Sequence, residues 1–505
     1  MENASTSKSM WLVVAVIFAC CVAPTFISYQ PYLFRWDDSE YLQRAIAVSR
    51  AFWSGDRHGM VASMVSIRPP AMTMLGLPWG SMRSWDSAAN CFISLAATAS
   101  LLAAVCLYLL LRIGVRPVFL VLASVCVFAS LGPFPPGSTV HADATGYGAD
   151  TFFAWTTLAA LLLISYETRM TCSSSRASVL RGILWGAIIS FGVMTKLDFL
   201  YFAVLILPLL FFMMLSRAGL RSALAALIGF ACSSAPSAYY LLRHGQAAFG
   251  NAKASSFGGV ASFYYKPLLP FLGETIRQSP GLLLSFVLCA SALIYLLIKR
   301  RLMTSWPDLA ALLIGIGFVV TVLSAPNRQV RYSFPAIVAL PFLVGILMSG
   351  KGRPIARFSA ALNAAFVFIL LLGASVPTKH RADVQSLSRS NAVLSAILPC
   401  NAKHIVVATE SPTLNGYLLS VALDFSTSNA SIETLGYRAM IGVPIEKDFR
   451  TMSESDQIIF QDAAFLSPPF ANQRVSEYER FIRQSVNAPI RVGNDISVYS
   501  LHCRP

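Results

Sequence analysis

Long apolar runs alternate with short polar segments over the first three quarters of the chain. An apolar run of about 20 residues is long enough to cross a bilayer as an α-helix. We predict about eleven such spans, near 10–29, 89–111, 117–134, 150–166, 180–195, 198–215, 221–242, 280–298, 307–325, 333–349 and 357–375. The first run lacks a clear small-residue cleavage site, which favours an uncleaved anchor over a signal peptide. The pattern predicts a polytopic α-helical membrane protein.

The last quarter of the chain has short apolar runs separated by polar and turn residues. They predict strands over 404–409, 456–460 and 496–501, and helices over 390–398, 416–422 and 475–485. Alternating strands and helices are typical of an α/β fold. We therefore divide the chain into a transmembrane region, 1–376, whose long outside loop over 30–88 holds interfacial helices, and a small soluble α/β domain, 377–505.

Composition and charge agree with a membrane protein. The 505 residues are 55% hydrophobic and 12% charged, whereas a soluble domain is usually about 25% charged. The net charge of +15 would suggest a nucleic-acid partner in a soluble protein, but much of it lies in short loops, where Lys and Arg mark the cytoplasmic side. With Lys8 on the cytoplasmic side, every predicted inside loop is basic, and the few acids in these loops are Glu167 and Asp308. The C-terminal domain is then predicted to lie outside. We expect no nucleic-acid partner.

Three acids, Asp37, Asp38 and Glu40, follow the first span directly. Carboxylates at a membrane surface among aromatic residues are costly to desolvate and are usually functional. Such a carboxylate, kept ionised by a nearby cation, can take a proton from an attacking hydroxyl. The alternative is structural, with the acids as an N-cap and solvated charges of an interfacial helix over Glu40–Trp53. One face of that helix would carry Tyr41, Leu42, Ala45, Ile46, Val48, Ser49 and Phe52.

Other predicted outside loops carry further candidates. Arg68 precedes two prolines, which fix an extended turn and hold the arginine rigidly, or simply terminate a loop. Asp143, near His141, is a candidate for a second acid, whereas Asp150 is an ordinary helix-start residue. The stretch over 243–279 is either a mobile substrate lid or a connector.

Two basic segments lie close to membrane depth. Lys196 either pairs with Asp198 or points at an anionic headgroup. Arg328, Arg331 and Tyr332 precede the tenth span on the predicted outer face. Arginine binds phosphate bidentately, so this segment is a phosphate-binding candidate, and the alternative is snorkelling to lipid headgroups.

The cysteines indicate no metal site, because none forms a CxxC pair. Most lie in apolar runs and read as small apolar residues. Cys400 and Cys503 bracket the polar C-terminal domain. If that domain lies outside the cytoplasm, we expect a disulfide between them.

Together these segments resemble the GT-C class of membrane glycosyltransferases, which includes the protein O-mannosyltransferases and the transferases that add aminoarabinose or galacturonate to lipid A and core. The resemblance covers the layout of 10–375. It is carried by Trp36–Tyr41, Arg68-Pro69-Pro70, the Gly-x-x-Thr-Lys turn at Gly192–Lys196 and the Arg-Tyr-x-x-Pro segment at Arg331–Pro335. The class often has Asp-Glu where this chain has two aspartates.

The resemblance implies an inverting transfer of a sugar from a polyprenyl-phosphate donor, on the periplasmic face of the bacterial inner membrane. The implied acceptor is an envelope lipid, glycan or protein. Membrane lipids are further partners, because they surround the protein. Asp37 is implied as the base, and Asp143 and Asp150 compete for the second acid. The members of this class differ in metal use, and no firm ligand set is present, so we assign no cofactor and leave a divalent metal open. We assign as substrate-binding residues Asp38, Glu40, Arg68, Asp143, Lys196, Arg331 and Tyr332.

Other functions compete with this one. A transporter or lipid-linked sugar flippase predicts charges at mid-membrane, broken helices and internal repeats. Here the charges gather at one face and no repeat is found. A polysaccharide polymerase or ligase would use a similar donor, and a noncatalytic scaffold would use the C-terminal domain to bind a partner.

Overall fold

The structure is a computed structural model. It describes residues 37–64, 68–131, 149–170, 174–257, 265–278, 280–298, 306–326, 328, 332, 334–349, 390–411, 414–426, 428–439, 442–462, 472–485 and 488–502. The predicted spans over 10–29 and 357–375 lie outside these residues.

Helices make up almost all of the described chain up to residue 349. They are α1 (Asp37–Trp53), α2 (Arg57–Met64), α3 (Trp85–Ile113), α4 (Pro117–Leu131), α5 (Ala149–Arg169), α6 (Ser175–Thr195), α7 (Leu200–Phe257), α8 (Leu268–Gln278), α9 (Pro280–Ile298), α10 (Trp306–Ser324) and α11 (Phe334–Ser349). In the described chain, five helices are long and apolar enough to cross a membrane. This confirms a helical membrane fold, and the span count of the whole chain stays a prediction.

Helix α7 joins two spans that the sequence separates. The predicted spans over 198–215 and 221–242 meet at Gly219, whose φ of 79° and ψ of 172° break the helix. Glycine adopts this conformation readily because it has no Cβ. The helix then continues to Phe257, so the first part of the loop predicted over 243–279 is helical. The prediction of a mobile loop is wrong there, and α8 occupies its other end.

Glycines let α6 and α7 pack backbone against backbone. A Cβ added to Gly186 would lie 2.6 Å from the Phe230 carbonyl oxygen, and one on Gly182 would approach the Ala226 carbonyl more closely still. Gly182 and Gly186 are spaced i, i+4, the small-residue pattern of tightly packed membrane helices.

Helix α5 is the centre of the bundle. Over its apolar window 94% of the residues are buried, and it contacts α3, α6, α7, α10 and α11. The Phe153 ring meets Phe199, Phe202 and Phe318 edge-on, with centroids 5.9–6.2 Å apart. A helix that is apolar all round is expected in such a position. Its first turn places the carboxylate of Asp150 at one end of the bundle.

Ion pairs close the opposite end of the bundle, where α5 terminates. Arg169 binds Asp308 of α10 through two nitrogens, at 3.0 and 2.8 Å. Glu167 accepts from Arg181 at 3.2 Å and from the Trp185 indole at 3.0 Å. Both acids are 3% exposed. The two acids of the predicted inside loops therefore neutralise arginines that belong to other helices or turns.

The predicted interfacial helix is α1, which begins at Asp37 rather than Glu40. Most of its predicted apolar face is buried, with Leu42 and Ile46 at most 1% exposed. It packs on a short 3₁₀ segment, Thr73–Trp79. Phe52, near the end of the helix, is 49% exposed, so the burial of that face does not extend to it.

The described chain after residue 390 contains a five-stranded sheet with helices. The strands are β1 (His404–Val407), β2 (Ser431–Thr434), β3 (Gln457–Gln461), β4 (Ile490–Val492) and β5 (Ile496–Ser500), in the spatial order β2-β1-β3-β5-β4. Strands β2, β1 and β3 are parallel, and β5 is antiparallel to both β3 and β4. The sequence misses β2 and β4, which are short and, at several positions, exposed.

Helices cover both faces of this sheet. They are α12 (390–397), α13 (Gly416–Phe425), α14 (Ile445–Ser453) and α15 (Val475–Ser485). Ile405 and Val407 of β1 pack with α12 and α13, whereas Val406, between them, packs with α14 and α15. This alternation follows from the two-residue period of a strand. The sequence misses α14 and finds the other three helices, and the assignment of 377–505 to a separate soluble domain stays a prediction.

Candidate active site

Three segments that the sequence singles out are the first turn of α1, the Arg68 turn and the Lys196 turn. They meet at one end of the bundle, where α1 and α5 begin and α6 terminates. The backbone N–H of Ala71, after the two prolines, donates to the Met194 carbonyl at 2.9 Å. This bond fastens the Arg68 turn to the turn that carries Lys196. Residues distant in sequence therefore share one end of the bundle, as the resemblance predicts.

Glu40 is the centre of a charged cluster. Its side chain is 5% exposed and accepts from the Arg68 Nε at 2.7 Å and from an Arg44 nitrogen at 2.9 Å. The Arg68 guanidinium also lies over the Tyr41 ring, 5.6 Å from its centroid. One buried acid thus faces two partly exposed arginines. Glu40 therefore holds the two arginines in place. The structural alternative, in which it is a solvated charge, does not apply to a buried and paired side chain.

Lys196 has a closer acid partner in addition to Asp198, the one that the sequence suggests. Its ammonium forms a short contact with the Asp150 carboxylate, while Asp198 is farther away, at 3.9 Å. The ammonium also lies over the Tyr332 ring, 4.8 Å from the centroid, and near Phe153. The suggested Lys196–Asp198 pair is therefore the weaker contact. Asp150 lies in the first turn of α5, as the sequence predicts, and is the acid that holds Lys196.

The region after residue 390 contributes to the same end of the bundle. Tyr417, in the first turn of α13, is 39% exposed. Burial of part of its ring raises the pKa of Tyr417 to about 12, and the nearby charge of Glu40 adds to that rise while Arg68 opposes it. Tyr417 therefore lies within electrostatic reach of the Glu40 cluster. Nothing in the sequence pattern indicates this approach, because it depends on how α13 packs.

Glu410 is a buried acid that the sequence does not single out. It follows β1 at the carboxyl end of the parallel strands, where α/β sheets commonly bind ligands. Its side chain is 1% exposed; Oε1 accepts from the Gly416 N–H at 2.9 Å, and Oε2 has no hydrogen-bond partner within the described chain. Burial raises the pKa of Glu410 to about 7.

The remaining predicted site residues fall as follows. Asp37 and Asp38 form the first turn of α1, where the structure describes their backbone. Asp143, Arg331 and Cys503 lie outside the described residues. Cys400 is disulfide-bonded, and its pairing with Cys503 stays a prediction. Across the described ranges, no group of three or more His, Cys, Asp or Glu side chains is placed to hold a metal ion.

The fold is similar to that of solved membrane proteins. No protein-family model and no curated protein sequence matches the chain. The crystal structure of ArnT from Cupriavidus metallidurans in the apo state superposes with a TM-score of 0.56 at 13% identity, covering 100% of both chains. The same protein bound to undecaprenyl phosphate gives the same score and identity, over 99% of this chain and 100% of that one.

The oligosaccharyltransferase of Archaeoglobus fulgidus, in complex with zinc and sulfate, has a TM-score of 0.46 at 14% identity and covers 83% of this chain and 62% of its own. A TM-score of 0.46 does not establish a shared fold. The ArnT likeness, which extends over the whole chain, establishes the fold. The chain has the GT-C membrane fold that the sequence resemblance predicts.

Proposed function

We propose that the protein is an integral-membrane glycosyltransferase. It transfers a sugar from a polyprenyl-phosphate donor to a hydroxyl of an envelope acceptor, with inversion at the anomeric carbon. The reaction takes place on the periplasmic face of the bacterial inner membrane. The lipid half of the donor is proposed from the likeness to ArnT, which was crystallised with undecaprenyl phosphate.

One observation carries this proposal. In an ArnT-like fold, the Arg68 turn, the Lys196 turn and the first turn of α1 meet at one end of the bundle, through the Ala71–Met194 bond and the Glu40–Arg68 ion pair. Cationic side chains and acids at a membrane surface suit a substrate with an anionic phosphate and a reacting hydroxyl.

The proposed chemistry needs one base and several cations. The Asp37 carboxylate takes the proton of the acceptor hydroxyl while the oxygen forms the new bond to the anomeric carbon. The bond from that carbon to the phosphate oxygen breaks, and polyprenyl phosphate leaves with the electron pair. A phosphate monoester has a second pKa of about 6, so it departs without a protein acid.

The leaving phosphate is stabilised by cations that the fold holds in place. Arg68 is fixed by Glu40, and Lys196 is fixed by Asp150 and by the Tyr332 ring. Preorganised charges of this kind need no rearrangement as the phosphate gains charge. We assign the same role to Arg331, and a substrate-binding role to Asp38 and Asp143, on the family resemblance.

Envelope glycolipids from a deletion strain test this function. Mass spectrometry should show a missing glycolipid whose mass difference identifies the sugar and the acceptor, and the wild-type chain should restore it. Asp37→Asn should fold but lower product formation by roughly 10²–10⁴-fold, the usual effect of losing a general base. Asp56→Asn, which removes an exposed acid near the end of α1, is the matched control. Near-normal product from Asp37→Asn would remove this residue from the mechanism.

The transporter alternative is less well supported by the described residues. Their buried acids within the membrane-crossing helices are Asp150, Glu167 and Asp308, and each lies in the first or last turn of its helix. Transporters instead place charged groups near the membrane midplane. Lipid transport without sugar transfer in proteoliposomes would favour the alternative.

A further inference from the structure

Helix α13, from the region after residue 390, lies beside α1 and runs in the same direction. At one end the Asn415 Nδ2 donates to the Ser39 Oγ at 3.4 Å, and at the other end Arg50 pairs with Asp424 at 3.3 Å. At about 1.5 Å per residue, α1 rises about 16 Å between its two contacts and α13 about 14 Å. Two cross-links of matching spacing align the helices, with their N-terminal ends together.

The link at the N-terminal ends is dry and oriented. Both Ser39 and Asn415 are 0% exposed. The Asn415 Oδ1 caps α13 by accepting from the Leu418 N–H at 3.0 Å, which fixes the plane of the amide and directs its Nδ2 at Ser39. A buried amide that loses its hydrogen-bond partner is destabilising, so the pair favours one arrangement of the two helix ends.

Residues on both sides of Asn415 are bonded to, or packed against, the sheet region. Glu410 accepts from the Gly416 N–H, and its own backbone exchanges two hydrogen bonds with the Asn472 side chain, at 2.8 and 2.7 Å. Gly416 lies so close to Thr434 of β2 that a Cβ would collide with it. Asn415 is therefore tied to the sheet region through the residues that flank it.

We propose that Asn415 is a positioning residue for the transfer reaction, because its bond to Ser39 fixes the rotation of the α1 turn that begins at Asp37. This proposal rests on the proposed function and extends it, since it gives the C-terminal region a part in catalysis. The buried surface around the pair supports it, because Leu418 and Val421 of α13 belong to the same apolar core as α1.

The test uses variants that keep the fold and remove the link. Ser39→Ala removes the acceptor, and Asn415→Ser keeps a capping hydroxyl that is too short to reach Ser39. The reciprocal exchange, Ser39→Asn with Asn415→Ser, returns an amide to the contact. Ser420→Ala is the control, because it deletes a hydroxyl on the same helix that bonds only within α13.

Three readouts separate positioning from folding. We expect each single variant to lower product formation about 10- to 100-fold, as for other small displacements of reacting groups. Affinity of the purified full chain for undecaprenyl phosphate should fall much less than product formation, since the cationic side chains of Arg68 and Lys196 are themselves unchanged. Amide hydrogen exchange over 37–42 should become faster, and the reciprocal exchange should recover part of the activity.

The outcomes distinguish this proposal from the function on which it rests. Wild-type product levels from both single variants would overturn the positioning role while leaving the glycosyltransferase intact, provided that Asp37→Asn is inactive. Full activity of Asp37→Asn would instead overturn the catalytic assignment. Equal losses of activity and of undecaprenyl phosphate affinity would show that Asn415 only maintains the fold.

Discussion

The buried carboxyl of Glu410 should make the stability of the C-terminal region depend on pH. Burial raises the pKa of Glu410 from an ordinary value of 4.5 to about 7. The folded chain therefore keeps the proton up to a pH of about 7, whereas the unfolded chain releases it near 4.5. The contribution of this carboxyl to the free energy of unfolding is fully present below pH 4.5 and is lost as the pH rises to about 7.

The size of this effect follows from the pKa difference. One pKa unit corresponds to about 1.4 kcal/mol, so the loss across this pH range is about 3 kcal/mol. Glu410→Gln keeps the size of the side chain and an oxygen that accepts from the Gly416 N–H, but it does not titrate. The variant should match the wild type near pH 4.5 and exceed its stability by about 3 kcal/mol at pH 8.

Thermal unfolding of the purified full chain at pH 5, 6, 7 and 8 measures this difference. For a region of this size, about 3 kcal/mol corresponds to a shift in Tm on the order of 10 °C. Hydrogen exchange over 416–425 gives a local readout, because Glu410 holds the first amide of α13. Glu446→Gln, which changes an exposed acid in the first turn of α14, is the control.

Parallel curves for the wild type and Glu410→Gln would refute this reasoning, because they would show that the folded and unfolded chains release the proton at the same pH. A variant less stable than the wild type at pH 8 would refute it more strongly. It would mean that the ionised carboxylate is the favoured form in the folded chain.

Two further predictions concern the bundle. Gly186→Val should prevent close packing of α6 and α7 and destabilise the protein by about 1–3 kcal/mol, as over-packing does. The yield of monodisperse protein in size-exclusion chromatography should therefore fall. Gly245→Ala, whose added Cβ meets its nearest neighbours at 4.0 Å, should leave the yield unchanged, and equal yields for the two variants would contradict the packing argument. Asp308→Asn should leave Arg169 without its carboxylate and cost about 1–3 kcal/mol, less than for a fully buried pair because the arginine is partly exposed; an unchanged Tm would show that the pair does not stabilise the bundle.

The helical part of the fold follows from the sequence to a large extent. Each predicted span between 89 and 349 coincides with a helix. In a bilayer, a single run of about 20 apolar residues can satisfy its own backbone N–H and C=O groups only as a helix. The break between two spans is visible in the structure as the backbone of Gly219. The exposed strands β2 and β4 are missed because short strands with polar positions carry little periodic signal.

The candidate site was only partly predictable. The acids after the first span, the Arg68 turn and Lys196 stand out because charge is rare beside apolar runs. The closer partner of Lys196 was not predictable, since Asp150 approaches it only through the packing of α5 against α6. Asn415 and Glu410 carry no sequence signal beyond an N-cap and a polar turn, and the contact of Asn415 with α1 depends on tertiary packing alone.

The ion pairs at the far end of the bundle also constrain how the nascent chain assembles. Glu167 and Arg181 are 14 residues apart, so α5 and α6 leave the ribosome nearly together and can enter the bilayer as a neutralised hairpin. Arg169 and Asp308 are 139 residues apart, which at 5–20 residues per second is on the order of ten seconds of synthesis. During this interval α5 lacks α10, so Arg169 has no carboxylate from Asp308 and the apolar flank of α5 that α10 covers stays open.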